Sequence, residues 1–275
     1  MISLKVDALG ESENKPLENW KSATAIASFG LVASFLIGYF SYFQALSSPF
    51  NGSLAFASLL FWSVVLGICF FFPLRRAFRA FLGYIKTLRG IAVYVVYTSL
   101  HLLVYGIILE TIVAFLYPYF WDVHVQSGIV LSSQPLYPLT GLTLLGNFFF
   151  NPNIAALVPP IFDVSLSLYS IALAVIIGIL VQVNIMRTIE LRNTCSLARK
   201  STTFIALPVI GVVGGASCCL SLPLFVTLLA APTASLASPS IIAAYFLTYF
   251  LFPPGTAIIL KLNLDSINRL KKAFS

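Results

Sequence analysis

The side chains best equipped for chemistry are two adjacent thiols. The run Gly211-Val-Val-Gly214-Gly215-Ala-Ser217-Cys218-Cys219-Leu-Ser221-Leu-Pro223 sets Cys218 and Cys219 in an otherwise apolar stretch. At about 1.5 Å per residue, Cys218 lies roughly 21 Å along that stretch from Phe204. Pro223 has no amide hydrogen, so the carbonyl of Cys219, four residues back, loses its helical partner. Two soft sulfurs beside a free carbonyl make a donor set for a soft metal ion. The same residues also read as packing. Gly211, Gly215 and Cys218 recur at i, i+4 and i+7 with Gly214 beside them, a small-residue face that admits a neighbouring helix. Cysteine in that setting is a small apolar side chain. A vicinal pair bonded to itself closes a strained ring, so no structural disulfide is expected there.

Two weaker constellations involve histidine. Tyr94, Tyr97, His101 and Tyr105 follow at spacings of three, four and four and form one helical stripe. An imidazole facing lipid is costly, so the stripe should face the bundle interior. One histidine is too few for a haem pair or a typical zinc site. An interhelical hydrogen bond is the plain role, and a proton or ligand role the alternative. Glu110 lies nine residues after His101, about 180° round a helix, and does not share its site. Glu110, Asp122 and His124 could together hold a metal or a proton, without a ligand-spacing signature. Phe252-Pro253-Pro254-Gly255 must break or kink its helix, as Pro223 does in the preceding run. Broken helices often mark transporter sites.

The segment around the cysteine pair resembles the first helix of mercuric transport proteins. There, too, a small-residue stretch leads into a vicinal Cys pair followed by Pro. The resemblance covers about a dozen of the 275 residues, and it implies that Cys218 and Cys219 relay the ion. No nucleophile elbow, Walker loop, HExxH, Cys-x-x-Cys or dinucleotide fingerprint occurs. A non-enzymatic role is expected, with no cofactor beyond a soft metal ion at the thiols.

The elements that carry these residues follow from composition. Hydrophobic residues make up 59% of the chain and charged residues 9%, with mean hydropathy +0.96. Soluble domains carry roughly 25% charge, so lipid must cover most of this surface. Six runs are long enough to cross a hydrocarbon core of about 30 Å: Ala23–Leu46, Leu54–Phe72, Ile91–Phe115, Val164–Met186, Phe204–Ala231 and Ile241–Lys261. The sixteen Lys and Arg residues fall into four groups. The N-terminal tail (residues 1–22) holds Lys5, Lys15 and Lys21. Residues 73–90 hold Arg75, Arg76, Arg79, Lys86 and Arg89, and residues 187–203 hold Arg187, Arg192, Arg199 and Lys200. Lys261, Arg269, Lys271 and Lys272 lie at or in the C-terminal tail (262–275). The connections after the first, third and fifth runs hold none. Short basic loops stay cytoplasmic. The expected fold is therefore an all-α, polytopic six-helix bundle, residues 23–261, in the cell membrane with both termini cytoplasmic. The first twenty-one residues carry four acids and do not read as a cleaved signal.

Two basic segments are also amphipathic. Phe78, Phe81, Leu82, Ile85 and Leu88 interleave with the bases of residues 73–90, and Leu264, Ile267, Leu270 and Phe274 recur at helical spacing in the tail. Both suit helices lying in the membrane interface. The net charge of +7 is explained by anionic lipid, and nucleic acid is not an expected partner.

The long outer loop, residues 117–163, lies between the third and fourth runs. It is nearly uncharged yet rich in rings: Tyr119, Phe120, Trp121, Tyr137, Phe148, Phe149, Phe150 and Phe162. Six prolines exclude a single helix, though Leu139–Phe150 could form a short one, on the surface or re-entrant. Such a loop needs an apolar cover: the bundle's outer mouth, lipid or another subunit. The sequon Asn51-Gly52-Ser53 is held against the membrane and is expected to stay unmodified. Two functions remain: a non-catalytic subunit of a membrane complex, docking through this loop and small-residue helix faces, or a transporter of a small solute or soft metal ion.

Overall fold

The computed structural model describes residues 17–43, 50–101, 128–135, 140–158, 162–194 and 250–274. These residues are mostly helical. Three of the helices are long and apolar enough to cross a membrane, and a bent pair brings the number to as many as four. That length and apolarity mark a membrane protein.

The first two expected spans form an antiparallel hairpin, α1 (Leu17–Ser41) and α2 (Gly52–Phe71). Asn51 caps α2, its side-chain oxygen accepting from the Leu54 amide at 3.1 Å. The basic segment then folds as α3 (Arg75–Tyr84) and turns through 117° into α4 (Leu88–Ser99). Thr87 caps α4 through the Gly90 amide. A π turn at residues 100–101 ends the described part of the third run.

The sheet is a departure from the all-α expectation. β1 (Gly128–Ser132), β2 (Asn153–Val158) and β3 (Phe162–Ser167) form an antiparallel sheet in the order β1-β2-β3. Its register joins Gly128 to Leu157 and Asn153 to Ser167. The segments suit strands once paired: Ile129-Val130-Leu131 is a short aliphatic run, and Asp163-Val164-Ser165-Leu166-Ser167 alternates with period two. The fourth span accordingly starts at Leu168, not Val164, because residues 162–167 are extended.

Between β1 and β2 lies α5 (Gly141–Phe150), close to the short helix expected there. After β3 comes the central helix α6 (Leu168–Thr194). The fifth span, Phe204–Ala231, lies outside the described residues. So do residues 241–249 of the sixth, whose remainder opens α7 (Phe252–Phe274). α7 runs through the expected boundary at Lys261 without interruption. The apolar positions explain why: Leu260, Leu264 and Ile267 continue one stripe, and all three are buried.

Two apolar clusters hold the bundle, with α6 contributing to both. Phe81 of α3, Tyr97 of α4 and Leu260 of α7 surround Ile177, Leu180 and Val183. At the other end, Phe61 and Trp62 of α2 and Phe148 of α5 pack against Tyr169 and Leu173.

Candidate functional site

Three polar features are built into this apolar frame. The first lies at the sheet-bearing end, where α5 packs against α1 and α2. Thr140 and Thr143 start α5 with a reciprocal capping box. Phe148 is wholly buried, stacked on Phe61 at 4.8 Å and edge-on to Phe35 at 5.0 Å. Phe61 lies nine residues into α2, about 14 Å along that helix. The C-terminal half of α5 is thus lodged against α1 and α2, with Asn147 and Phe148 buried. Gly38 makes room for it, since an added Cβ would meet Phe148 Cζ at 3.0 Å.

Buried backbone needs partners for its polar groups, and here side chains supply them. Trp62 Nε1 donates to the Phe148 carbonyl, and Asn147 Nδ2 donates to Tyr42 Oη at 2.6 Å. Asn151 exchanges hydrogen bonds with the Gln134 backbone, both at 3.0 Å. Asn51 donates its side-chain amide to the Ser41 carbonyl at 2.9 Å and its backbone amide to Ser133 at 2.8 Å. The sequon nitrogen is thereby engaged, and Asn51 is buried.

The second feature is a seam along α6. Gln182 Nε2 donates to the Gly90 carbonyl of α4 at 2.9 Å, while its Oε1 is buried without a partner among the described residues. Asn184 reaches the opposite neighbour: its Nδ2 donates to the Leu260 carbonyl at 3.1 Å, and its Oδ1 accepts from Asn263 Nδ2 at 2.7 Å. Gly178 lets α4 approach, with Tyr94 Cε2 only 3.0 Å from where a Cβ would sit. Tyr97 and His101 are buried, their Oη and Nδ1 3.3 Å apart. The tyrosine–histidine stripe therefore faces inward as far as it is described; Tyr105 lies beyond.

The third feature closes the basic end. Glu190 Oε1 accepts from Tyr84 Oη at 2.6 Å, and Oε2 accepts from Arg187 at 3.0 Å and Lys271 at 3.2 Å. The Arg187 guanidinium also lies over the Tyr84 ring. Burial, and donation to Glu190, push the Tyr84 hydroxyl above its ordinary range. One carboxylate thus ties α3, α6 and α7 together.

Gly211, Gly214, Gly215, Cys218, Cys219, Pro223, Glu110, Asp122 and His124 all lie outside the described residues. Among the described residues, no group of three or more His, Cys, Asp or Glu could hold a metal ion. Cys69 of α2 is half-buried against the core. Pro253 and Pro254 stand in the first turn of α7, just after a π turn at residues 250–251.

Gln182, Asn184, Glu190 and Asn147 were not singled out from the sequence. Their signal was present: amides and a carboxylate inside or beside an apolar run must be paired, and so point to neighbours. Chemically, these groups hold helices together; every oxygen of Glu190 and Asn184 is engaged within the fold. No family model, characterised protein or solved structure matches the chain.

Proposed function

We propose that this chain is an integral, non-catalytic subunit of a larger assembly in the cell membrane. In this reading it is a six-helix bundle with cytoplasmic termini, and its sheet-bearing end faces outward. The supporting observation is β1. Ile129, Val130 and Leu131 are exposed at 80%, 47% and 49%, so consecutive side chains leave both faces of the strand bare. Among the described residues β1 pairs with β2 alone, apart from a bridge between Phe50 and Ser133 beyond its end. A bare apolar edge strand is a template for pairing with another chain. The rings of Phe148, Phe149 and Phe150, offered for docking by the sequence, pack inward. The docking surface therefore shifts to β1 and to Leu142, which is 80% exposed. Lipid and neighbouring membrane subunits are the partners, and the Gly211-Gly214-Gly215 face supplies a second helix contact.

Extraction in mild detergent, followed by native mass and metal analysis, tests this reading. A complex with unlike chains that is lost on Val130→Lys is the expected result. A lone chain or homo-oligomer carrying stoichiometric metal, released by Cys218→Ser with Cys219→Ser, would establish soft-metal transport instead. The likeness to mercuric transport proteins and the carbonyl freed by Pro223 favour that second reading.

A further inference from the structure

The hairpin of α1 and α2 carries an inference that does not depend on the partner question. The two helices meet closely at Gly30, where an added Cβ would lie 2.6 Å from Val64 Cγ2. Nearer the α1 start and the α2 end they part, leaving a groove of about 400 Å³. Ala23, Ile26, Ala27, Gly67, Ile68 and Phe71 line it, and a Cβ on Gly67 would meet nothing within 4 Å. The hydroxyl of Ser63, also in the wall, is spent on the Leu59 carbonyl. A volume of about 400 Å³ is less than even two turns of a helix about 10 Å across would fill, and suits an extended hydrocarbon chain.

A cation stands beside one wall residue of the groove, Phe71. Arg75, exposed at the start of α3, holds its guanidinium 5.8 Å from the centre of the Phe71 ring. No carboxylate among the described residues pairs with it. An apolar slot flanked by a cation that no described carboxylate pairs with is complementary to a hydrocarbon chain ending in an anion. We infer that the groove binds an anionic phospholipid, its acyl chain against Gly67 and its phosphate at Arg75.

Native mass measurement of the full chain, released from nanodiscs of equal phosphatidylglycerol and phosphatidylcholine, tests the inference. The unmodified chain should retain one phosphatidylglycerol in preference to phosphatidylcholine. Arg75→Gln should cut that preference roughly fivefold, the effect of one basic residue near a lipid surface. Gly67→Phe should release bound lipid of both kinds while its thermal unfolding stays unchanged, because open space receives the ring. Equal retention of the two lipids by the unmodified chain would overturn the inference, as would undiminished retention in Gly67→Phe. So would a lipid-free dimer that Gly67→Phe dissociates, which would give the groove to a second copy.

Discussion

Helices α1 and α6 are similar in length and both apolar enough to span a membrane, yet they occupy opposite situations. α1 presents Ile26, Phe29 and Phe40 outward, exposed at 71%, 76% and 60%. α6 is enclosed, with Ile177, Leu180 and Val183 fully buried. The polar side chains separate them. The buried hydroxyls of α1, Ser34 and Ser41, donate to Leu31 and Gly38, carbonyls of their own helix. The amides of α6 reach other helices, Gln182 to α4 and Asn184 to α7. A hydroxyl satisfied at home leaves a helix free to face lipid. An amide with more groups than its own helix can satisfy draws neighbours around it.

The largest expected contrast is in packing. Leu180→Ala on α6 should destabilise the fold by about 2–5 kcal/mol through a buried cavity, whereas Leu36→Ala on the exposed face of α1 should cost no more than about 0.5 kcal/mol. Reversible unfolding in mixed micelles reads both; equal losses would erase the distinction between the helices. Asn184→Leu comes next, at about 1–2 kcal/mol, because it strips bonds to both Leu260 and Asn263. A double-mutant cycle with Asn263→Leu should return the part carried by the Asn263 bond as coupling energy, leaving the part carried by the Leu260 carbonyl. Gln182→Leu should cost less, on the order of 0.5 kcal/mol, since the bond lost to Gly90 is offset by removing a buried oxygen without a partner among the described residues. A Gln182 loss larger than the Asn184 loss would mean that the seam is ordered the other way. Smallest is Ser34→Ala, where the same unfolding measurement should find a change of no more than about 0.5 kcal/mol.

Much of the helical frame was legible in residue order. The second span, the start of α4 and the short helix at 141–150 lie within a few residues of their expected places, and α1 overlaps the first span but begins and ends earlier, at Leu17 and Ser41, because length and apolarity are properties of a segment alone. The inward face of Tyr97 and His101 was legible too, since the cost of a polar ring in lipid leaves one direction open. The sheet was not. β1 and β2 are separated by the whole of α5, and a five-residue aliphatic strand carries little signal until its partner is known. The unbroken α7 was hidden for a different reason: charge begins at Lys261 and suggests a boundary, while the stripe Leu260, Leu264, Ile267 runs straight across it.

From residue order alone came the membrane character of the chain, the extent of its first apolar helices and the scarcity of reactive groups. Each is a sum over neighbours in sequence, and transfer from water to lipid adds up residue by residue. Tertiary structure decided that α6 is central, that α5 lodges against α1 and α2 and that Phe148 is covered by Phe35 and Phe61. Those outcomes depend on which surfaces meet. Ring stacking and amide pairing act over a few ångströms, between residues that the chain keeps a hundred positions apart.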